Sequence, residues 1–144
     1  MKKYLLTIAI IALAYTADAR YSSTLYQDTV KNLRNNIISQ KSKFRNKQLT
    51  VLLNELGFTV KSYMFIRGAK PGGPAKGIIL FFEDRHTVTN KIQSGKARSF
   101  LTIYFDEEVT KHWPLYLKSK GTWLDDEKNY YGNLHVKDIS GPTP

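Results

Sequence analysis

The sequence predicts an α+β fold, in which two amino-terminal helices pack on a mostly antiparallel sheet of four or five strands. Three observations support this prediction. Apolar residues recur at helical spacing early in the chain, short runs of strand length follow, and no segment repeats at a fixed period. Helices grouped before strands are typical of the α+β class.

Residues 22–44 have the apolar spacing of an amphipathic helix. Five side chains fall within about 50° of one another on the helical wheel and are expected to be buried: Tyr26, Val30, Leu33, Ile37 and Phe44. Four basic residues lie on one flank of the same wheel: Lys31, Arg34, Lys41 and Arg45. The helix is therefore expected to carry its positive charges in a line along one edge.

A second helix is predicted over residues 47–56. Four leucines follow the i, i+3, i+4, i+7 spacing of an apolar face: Leu49, Leu52, Leu53 and Leu56. An unbroken helix would point them away from the first apolar stripe, so the chain must turn near residues 45–47. Gly57 is expected to end the second helix in the left-handed conformation, with Phe58 packing back on Leu53.

Strand-like runs follow the two helices. The longer ones are residues 58–67, 77–83 and 99–106, and shorter candidates lie around 115–118, 122–124 and 133–139. The first run alternates apolar and polar residues, whereas the next two are apolar on both faces, which favours central positions in the sheet. A brief helix that begins at Asp106 and is stopped by Pro114 is expected among them.

The first 19 residues have the three parts of a secretory signal peptide. Lys2 and Lys3 form a positive start, residues 4–14 are apolar, and the small residues at 17–19 favour cleavage before Arg20. The alternative is an amino-terminal membrane anchor, although the apolar run is about half of the roughly 20 residues that a spanning helix needs.

Cleavage would leave residues 20–144 as a single domain with a short flexible carboxy-terminal tail, in a secreted or periplasmic compartment. The chain contains no cysteine, which excludes disulfides, thiolate zinc sites and cysteine nucleophiles. With 42% hydrophobic and 12% aromatic residues, the chain has enough apolar surface to favour an ordered globule.

Positive charge is concentrated in the first half of the chain. Residues 20–76 carry 11 bases and two acids, whereas nine bases and nine acids cancel from residue 77 onward. Such asymmetry favours an anionic macromolecule or an acidic protein surface as partner, with peripheral membrane contact as a variant. No specific nucleic acid is predicted, because an exported domain rarely meets one. Solubility alone is the other explanation of the charge.

The expected anion-binding surface joins the first helix to the glycine- and proline-rich segment of residues 68–77. Its six basic residues are Lys31, Arg34, Lys41, Arg45, Lys70 and Lys76. Backbone N–H groups of the segment would face the same anion. The segment does not match a P-loop, because no serine or threonine follows its lysines and a strand follows it. A long hairpin connection is the alternative explanation.

Aromatic residues in the second half of the chain predict a different kind of surface. Trp113, Tyr116 and Trp123 are candidate partner-docking residues, since such side chains bury a large area while keeping a polar tip. An inhibitor, immunity factor or assembly factor that docks on one protein is therefore the alternative function. Core packing is the simpler explanation for many of these aromatic side chains.

No catalytic residue, metal ligand or cofactor is predicted, and the sequence favours a non-enzymatic binding module. The three histidines lack the spacing of a zinc-peptidase motif, and no Gly-x-Ser-x-Gly elbow occurs. Residues 125–127 are acidic but lack the spacing and glycine of an EF-hand, so an acidic turn between strands is expected there. An enzyme that uses His86 or His112 with a neighbouring carboxylate is the remaining alternative.

Overall fold

The computed structural model describes residues 27–68, 72–96 and 99–142. The predicted signal peptide and Lys70 lie outside these ranges. The helices are α1 (α-helical over residues 27–32 and π-helical over Leu33–Ile38), α2 (Leu49–Glu55), α3 (Arg85–Gln93), α4 (His112–Ser119) and α5 (Asp125–Gly132). The strands are β1 (Ser62–Ile66), β2 (Ala75–Phe81), β3 (Phe100–Val109) and β4 (Val136–Ser140). No helix within these ranges is both long enough and apolar enough to cross a bilayer.

The four strands form one antiparallel sheet in the order β1-β2-β3-β4, so each strand pairs with its neighbour in the chain. The predicted α+β class and the antiparallel sheet are confirmed. The expectation that the helices precede the strands is wrong, because α3 lies between β2 and β3, and α4 and α5 lie between β3 and β4. Asp84 begins α3 by accepting a hydrogen bond from the N–H of Thr87 at 3.0 Å, a local cap that the apolar pattern did not reveal.

Two further predictions in the second half of the chain are corrected. Residues 106–109 do not begin a helix, because β3 continues to Val109, which pairs with Ala75. Residues 115–118 are helical and belong to α4. Pro114 lies in the first turn of α4, where a backbone N–H would have no partner within the helix, so it does not stop a helix there.

Two predicted changes of direction are confirmed. Asn46 has a φ of 59° and lies between a 3₁₀ turn, Lys41–Lys43, and α2, where the chain was expected to turn. Gly57 has a φ of 68° just after α2. A left-handed residue cannot continue a right-handed helix, so both positions redirect the chain.

The core lies between one face of the sheet and helices α1, α2 and α5. Its fully buried members include Leu33, Ile37, Leu49, Leu52, Tyr63, Ile78, Leu80, Leu101, Ile103 and Tyr131. Tyr63 is at the centre of an aromatic cluster, with ring centroids 5.6 to 5.8 Å from those of Tyr116, Trp123 and Tyr131. Edge-to-face contacts of this kind add to the stability that burial itself provides.

Both outer strands are covered along part of their free edges. On the β4 side, the N–H of Asn46 donates to the carbonyl of Val136 at 2.8 Å. On the β1 side, the N–H of Tyr63 donates to the carbonyl of Gly121 at 2.8 Å. These hydrogen bonds occupy backbone groups of the edge strands that would otherwise be free to pair with another chain.

Replacement of Gly77 by alanine tests the close approach of β2 to β3. A Cβ at this position would lie 2.1 Å from the carbonyl oxygen of Ile103. Because the backbone of the neighbouring strand would have to move, we expect G77A to lower the free energy of unfolding by about 3 kcal/mol. G57A is the control, since its Cβ meets nothing within 4 Å and only the positive φ is strained, at about 1 kcal/mol. Equal losses in urea denaturation would contradict the packing explanation.

Candidate functional site

Three of the predicted anion-binding residues lie beside β4 and the residues that follow it. The Nε of Arg34 donates to the carbonyl of Pro142 at 3.3 Å. The Nζ of Lys41 is 3.2 Å from Oδ1 of Asp138, and the Nη2 of Arg45 is 2.7 Å from the same oxygen. Lys31 is exposed and lies one helical turn before Arg34. We call Lys31, Arg34, Lys41 and Arg45 the basic edge.

The path of the backbone explains why these residues meet. As the chain passes from Arg34 to Asn46, its contacts move back along β4 from Pro142 to Val136. The segment therefore runs antiparallel to β4 along the border of the sheet. The basic side chains of α1 and of the turn after it are separated in the sequence, but they consequently lie beside the same strand, β4.

Asp138 offsets only part of the positive charge of the basic edge. The hydrogen bond from Arg45 lowers the pKa of the Asp138 carboxyl, and Lys41 adds to the effect, so the carboxylate stays ionised at neutral pH. The four bases and this carboxylate sum to a formal charge of +3, and Asp28, one helical turn before Lys31, lowers the local sum to +2. Lys43 does not contribute, because its Nζ lies 3.1 Å from Oε1 of Glu55.

A cleft of about 810 Å³ opens on the sheet beside the basic edge. It forms where two strand pairs are irregular, since the register shifts between Ala75 and Gly77 in β2 and between Tyr104 and Phe105 in β3. Its lining includes Gly68, Gly73, Pro74, Lys76, Tyr104, Asp106, Glu107, Glu108, Lys137 and Asp138. Gly68 and residues 73–76 thus border the cleft, and the antiparallel pairing of β1 with β2 agrees with a hairpin connection, the alternative interpretation of this segment.

The charges of the cleft are mixed. Lys76 and Lys137 contribute two positive charges, whereas the lining contains four carboxylates, including that of Asp138. The lining residues that the structure describes therefore give the cleft no excess of positive charge to attract an anion. The structure brings Lys76 near Asp138 at this cleft, but the concentrated positive charge belongs to the basic edge.

A histidine and a carboxylate that the sequence analysis did not select lie together at this end of the sheet. The Nδ1 of His135 is 2.5 Å from Oε1 of Glu107, whose Oε2 accepts the backbone N–H of His135 at 2.8 Å. Partial burial alone would raise the pKa of Glu107, but the bonds from His135 lower it overall. The irregular pairing of β3 with β4 creates this contact, so no local sequence signal predicts it.

The histidines that the sequence singled out do not form such a pair. His86 is exposed, and its Nδ1 lies 3.3 Å from the side-chain nitrogen of Asn90. His112 is buried, with Nδ1 2.7 Å from the carbonyl oxygen of Val109. In the part of the chain that the structure describes, neither forms an ion pair with a carboxylate, and no group of three metal-ligating side chains is arranged to hold an ion.

The three candidate docking aromatics have different surroundings. Trp113 on α4 is 49% exposed. Tyr116 is partly buried, and its hydroxyl accepts a hydrogen bond from Nη2 of Arg85 at 2.6 Å. Trp123 stacks on Tyr131 with ring centroids 5.8 Å apart and belongs to the border of the core. Trp113 is therefore the most exposed of the three.

The acidic residues at 125–127 form the first turn of α5, so the expected turn between strands is wrong. Their negative charge favours the positive end of the helix dipole. Glu127 is 1% exposed, and its Oε2 accepts the N–H of Leu124 at 3.1 Å. Its Oε1 lies 3.4 Å from the hydroxyl of Tyr63, whose pKa is raised to about 12, chiefly by burial. Both side chains of this pair are buried, so neither is exposed to a ligand.

The ion pairs of Asp138 allow a prediction of how acid changes the free energy of unfolding. Its pKa is lower in the folded than in the unfolded protein, so its contribution is present above the unfolded value and is lost as pH falls through the folded value. Because the side chains are about 40% exposed, we expect D138N to cost less than about 1 kcal/mol at pH 7, and we expect this cost to shrink steadily as the pH falls below the ordinary carboxyl pKa. The measurement is urea unfolding of wild type and D138N at pH 7 and at a series of lower pH values, with D106N as control. A cost that stays constant with pH would contradict the ion-pair explanation.

Among the described residues, the basic edge is the place where the predicted functional side chains come together. Lys31, Arg34, Lys41 and Arg45 follow one border of the sheet, and Lys76 lies at the adjoining cleft. Comparison of the chain with protein-family models, with curated proteins and with solved structures found no match.

Proposed function

We propose that this chain is a secreted or periplasmic, non-enzymatic binding domain that engages an anionic partner through the basic edge. The observation that carries this proposal is the convergence of Arg34, Lys41 and Arg45 on one border of the sheet, with a single carboxylate among them. The signal-peptide pattern of residues 1–19 supports the compartment.

The ion pairs of Asp138 favour binding by holding the cations in place. Lys41 and Arg45 each lose conformational freedom when they contact this carboxylate, so less entropy remains to be lost when a ligand binds. The guanidinium of Arg45 has five N–H donors, and its bond to Asp138 leaves others for a second anion. Positive charge on neighbouring side chains then attracts that anion over a distance of about 10 Å at moderate salt.

Solubility alone would be served by cations spread evenly over the surface. Among the described residues, several lysines that do not belong to the basic edge are matched by a carboxylate: Lys43 by Glu55, Lys91 by Glu83 and Lys118 by Asp126. The basic edge differs from these three sites because two of its bases share one carboxylate. This uneven distribution favours a binding function over a general effect on solubility.

The variant K31Q/R34Q/K41Q/R45Q tests the proposed function. We expect wild type to bind a heparin column and to elute with salt, because anion binding releases counterions. The variant should elute at much lower salt, while its thermal unfolding still shows a folded protein. The matched control K96Q/K111Q/K120Q/K128Q removes the same charge from exposed lysines elsewhere and should keep most of the retention. Equal elution of the two variants would show that net charge alone is responsible.

A second candidate function is docking on one protein through α4. Trp113 is 49% exposed and Leu117 is 58% exposed, and they lie one helical turn apart on the same face. The Trp113 ring is parallel to within 16° of the Tyr116 ring, with centroids 6.4 Å apart, so packing restrains its orientation. Tryptophan is enriched among the residues that contribute most of the binding energy at protein interfaces.

The variant W113A/L117A tests this second function by affinity capture from the native compartment. If α4 docks on a protein, wild type should retain one stoichiometric partner in high salt, and the variant should lose it because the apolar contact area is removed. V51A/I92A is the control, since those side chains are about 40% exposed on other helices. Retention of the same partner by W113A/L117A would exclude α4 as its binding surface.

A further inference from the structure

The basic edge has the shape of a row. Its contacts extend from Asp138 to Pro142, which at about 3.3 Å per residue of extended chain is about 13 Å. Lys31 lies about one helical turn before Arg34 and adds about 5 Å. The four cations therefore follow a border of the sheet about 18 Å long.

A single small anion cannot contact the whole row. Hydrogen bonds join atoms about 3 Å apart, so a phosphate or sulfate held between Lys41 and Arg45 is too distant to bond Lys31. All four cations are satisfied together only by a ligand that carries negative groups at intervals along its length. The spacing of the row thus distinguishes a polymer from a free ion.

We propose that the basic edge binds a linear acidic polysaccharide, whose sulfate or carboxylate groups lie along the row from Lys31 to Arg45. This inference rests on the proposed function and specifies the partner of the same surface. Lysine and arginine side chains donate hydrogen bonds to such groups, and no enclosed pocket is needed because the polymer lies across an open border.

The surroundings of the row favour a polysaccharide over a single-stranded nucleic acid or a membrane. The aromatic residue between Arg34 and Arg45 is Phe44, which is 1% exposed and cannot stack on a base. The exposed large apolar residues of the described chain lie outside the row, so the row has no apolar side chain to insert into a bilayer: Val51, Ile92, Trp113, Leu117 and Leu124.

Size-defined heparin oligosaccharides test the inference by calorimetric titration of the purified protein at fixed salt. We expect affinity to rise at least tenfold from the disaccharide to oligosaccharides that span the row, and then to level off. The dependence of log Kd on log salt should steepen with length by about one unit for each cation that the ligand reaches. Inorganic sulfate should compete only weakly.

Two single variants locate the ligand on the row. K31Q should weaken binding of the long oligosaccharide several-fold and leave the disaccharide unchanged, because a short ligand binds where Lys41 and Arg45 are close together. K43Q is the matched control, since Lys43 lies within the same turn but faces Glu55 at 3.1 Å. K43Q should bind both ligands as wild type does.

The outcomes separate this inference from the proposed function. If the disaccharide binds as tightly as the long oligosaccharide, the ligand does not contact the whole row, and the surface is a site for a single anion. A second contrary result is that single-stranded DNA, or vesicles that contain phosphatidylserine, bind more tightly through the same four residues. That result would show that the partner is not a polysaccharide, although the basic edge would still bind anions. Absence of binding to every polyanion at low salt would overturn the proposed function itself.

Discussion

The backbone pairing of residues 46–49 with residues 134–136 determines where α1, the turn after it and α2 lie. The N–H of Leu49 donates to Leu134 at 2.9 Å, and the N–H of Val136 donates to Lys47 at 2.9 Å. This pairing covers part of the free edge of β4 and places α1 along the border of the sheet. It also brings α2 against α5, where the hydroxyl of Thr50 donates to the carbonyl of Gly132 at 2.8 Å.

The same pairing creates the charged surface on which the proposed function depends. Because the chain runs antiparallel to β4, the cations of α1 and of the turn after it face residues 138–142. Asp138 holds Lys41 and Arg45 in place, but surface ion pairs of this kind are worth only about 0–1 kcal/mol. Asp138 therefore orients the two cations while contributing little to the stability of the fold.

The three candidate docking aromatics show that the type of a side chain does not reveal whether it is buried in the core or exposed on the surface. Trp113, Tyr116 and Trp123 looked equivalent in the sequence, yet Tyr116 and Trp123 pack against Tyr63 and only Trp113 is largely exposed. Their environments differ because β1, α4 and the segment before α5 meet around one buried tyrosine. That meeting depends on long-range packing, which no local pattern encodes.

The sequence by itself determined the properties that arise within a few residues: the leucine spacing of α2, the reversal at Gly57, the strand character of most of β1 to β3, and the concentration of positive charge before residue 77. Only the tertiary structure decided the alternation of α3, α4 and α5 with the strands, and the meeting of Arg45 with Asp138 across 93 residues of chain. Periodicity, caps and turns act locally, whereas strand register and its bulges decide which distant side chains become neighbours.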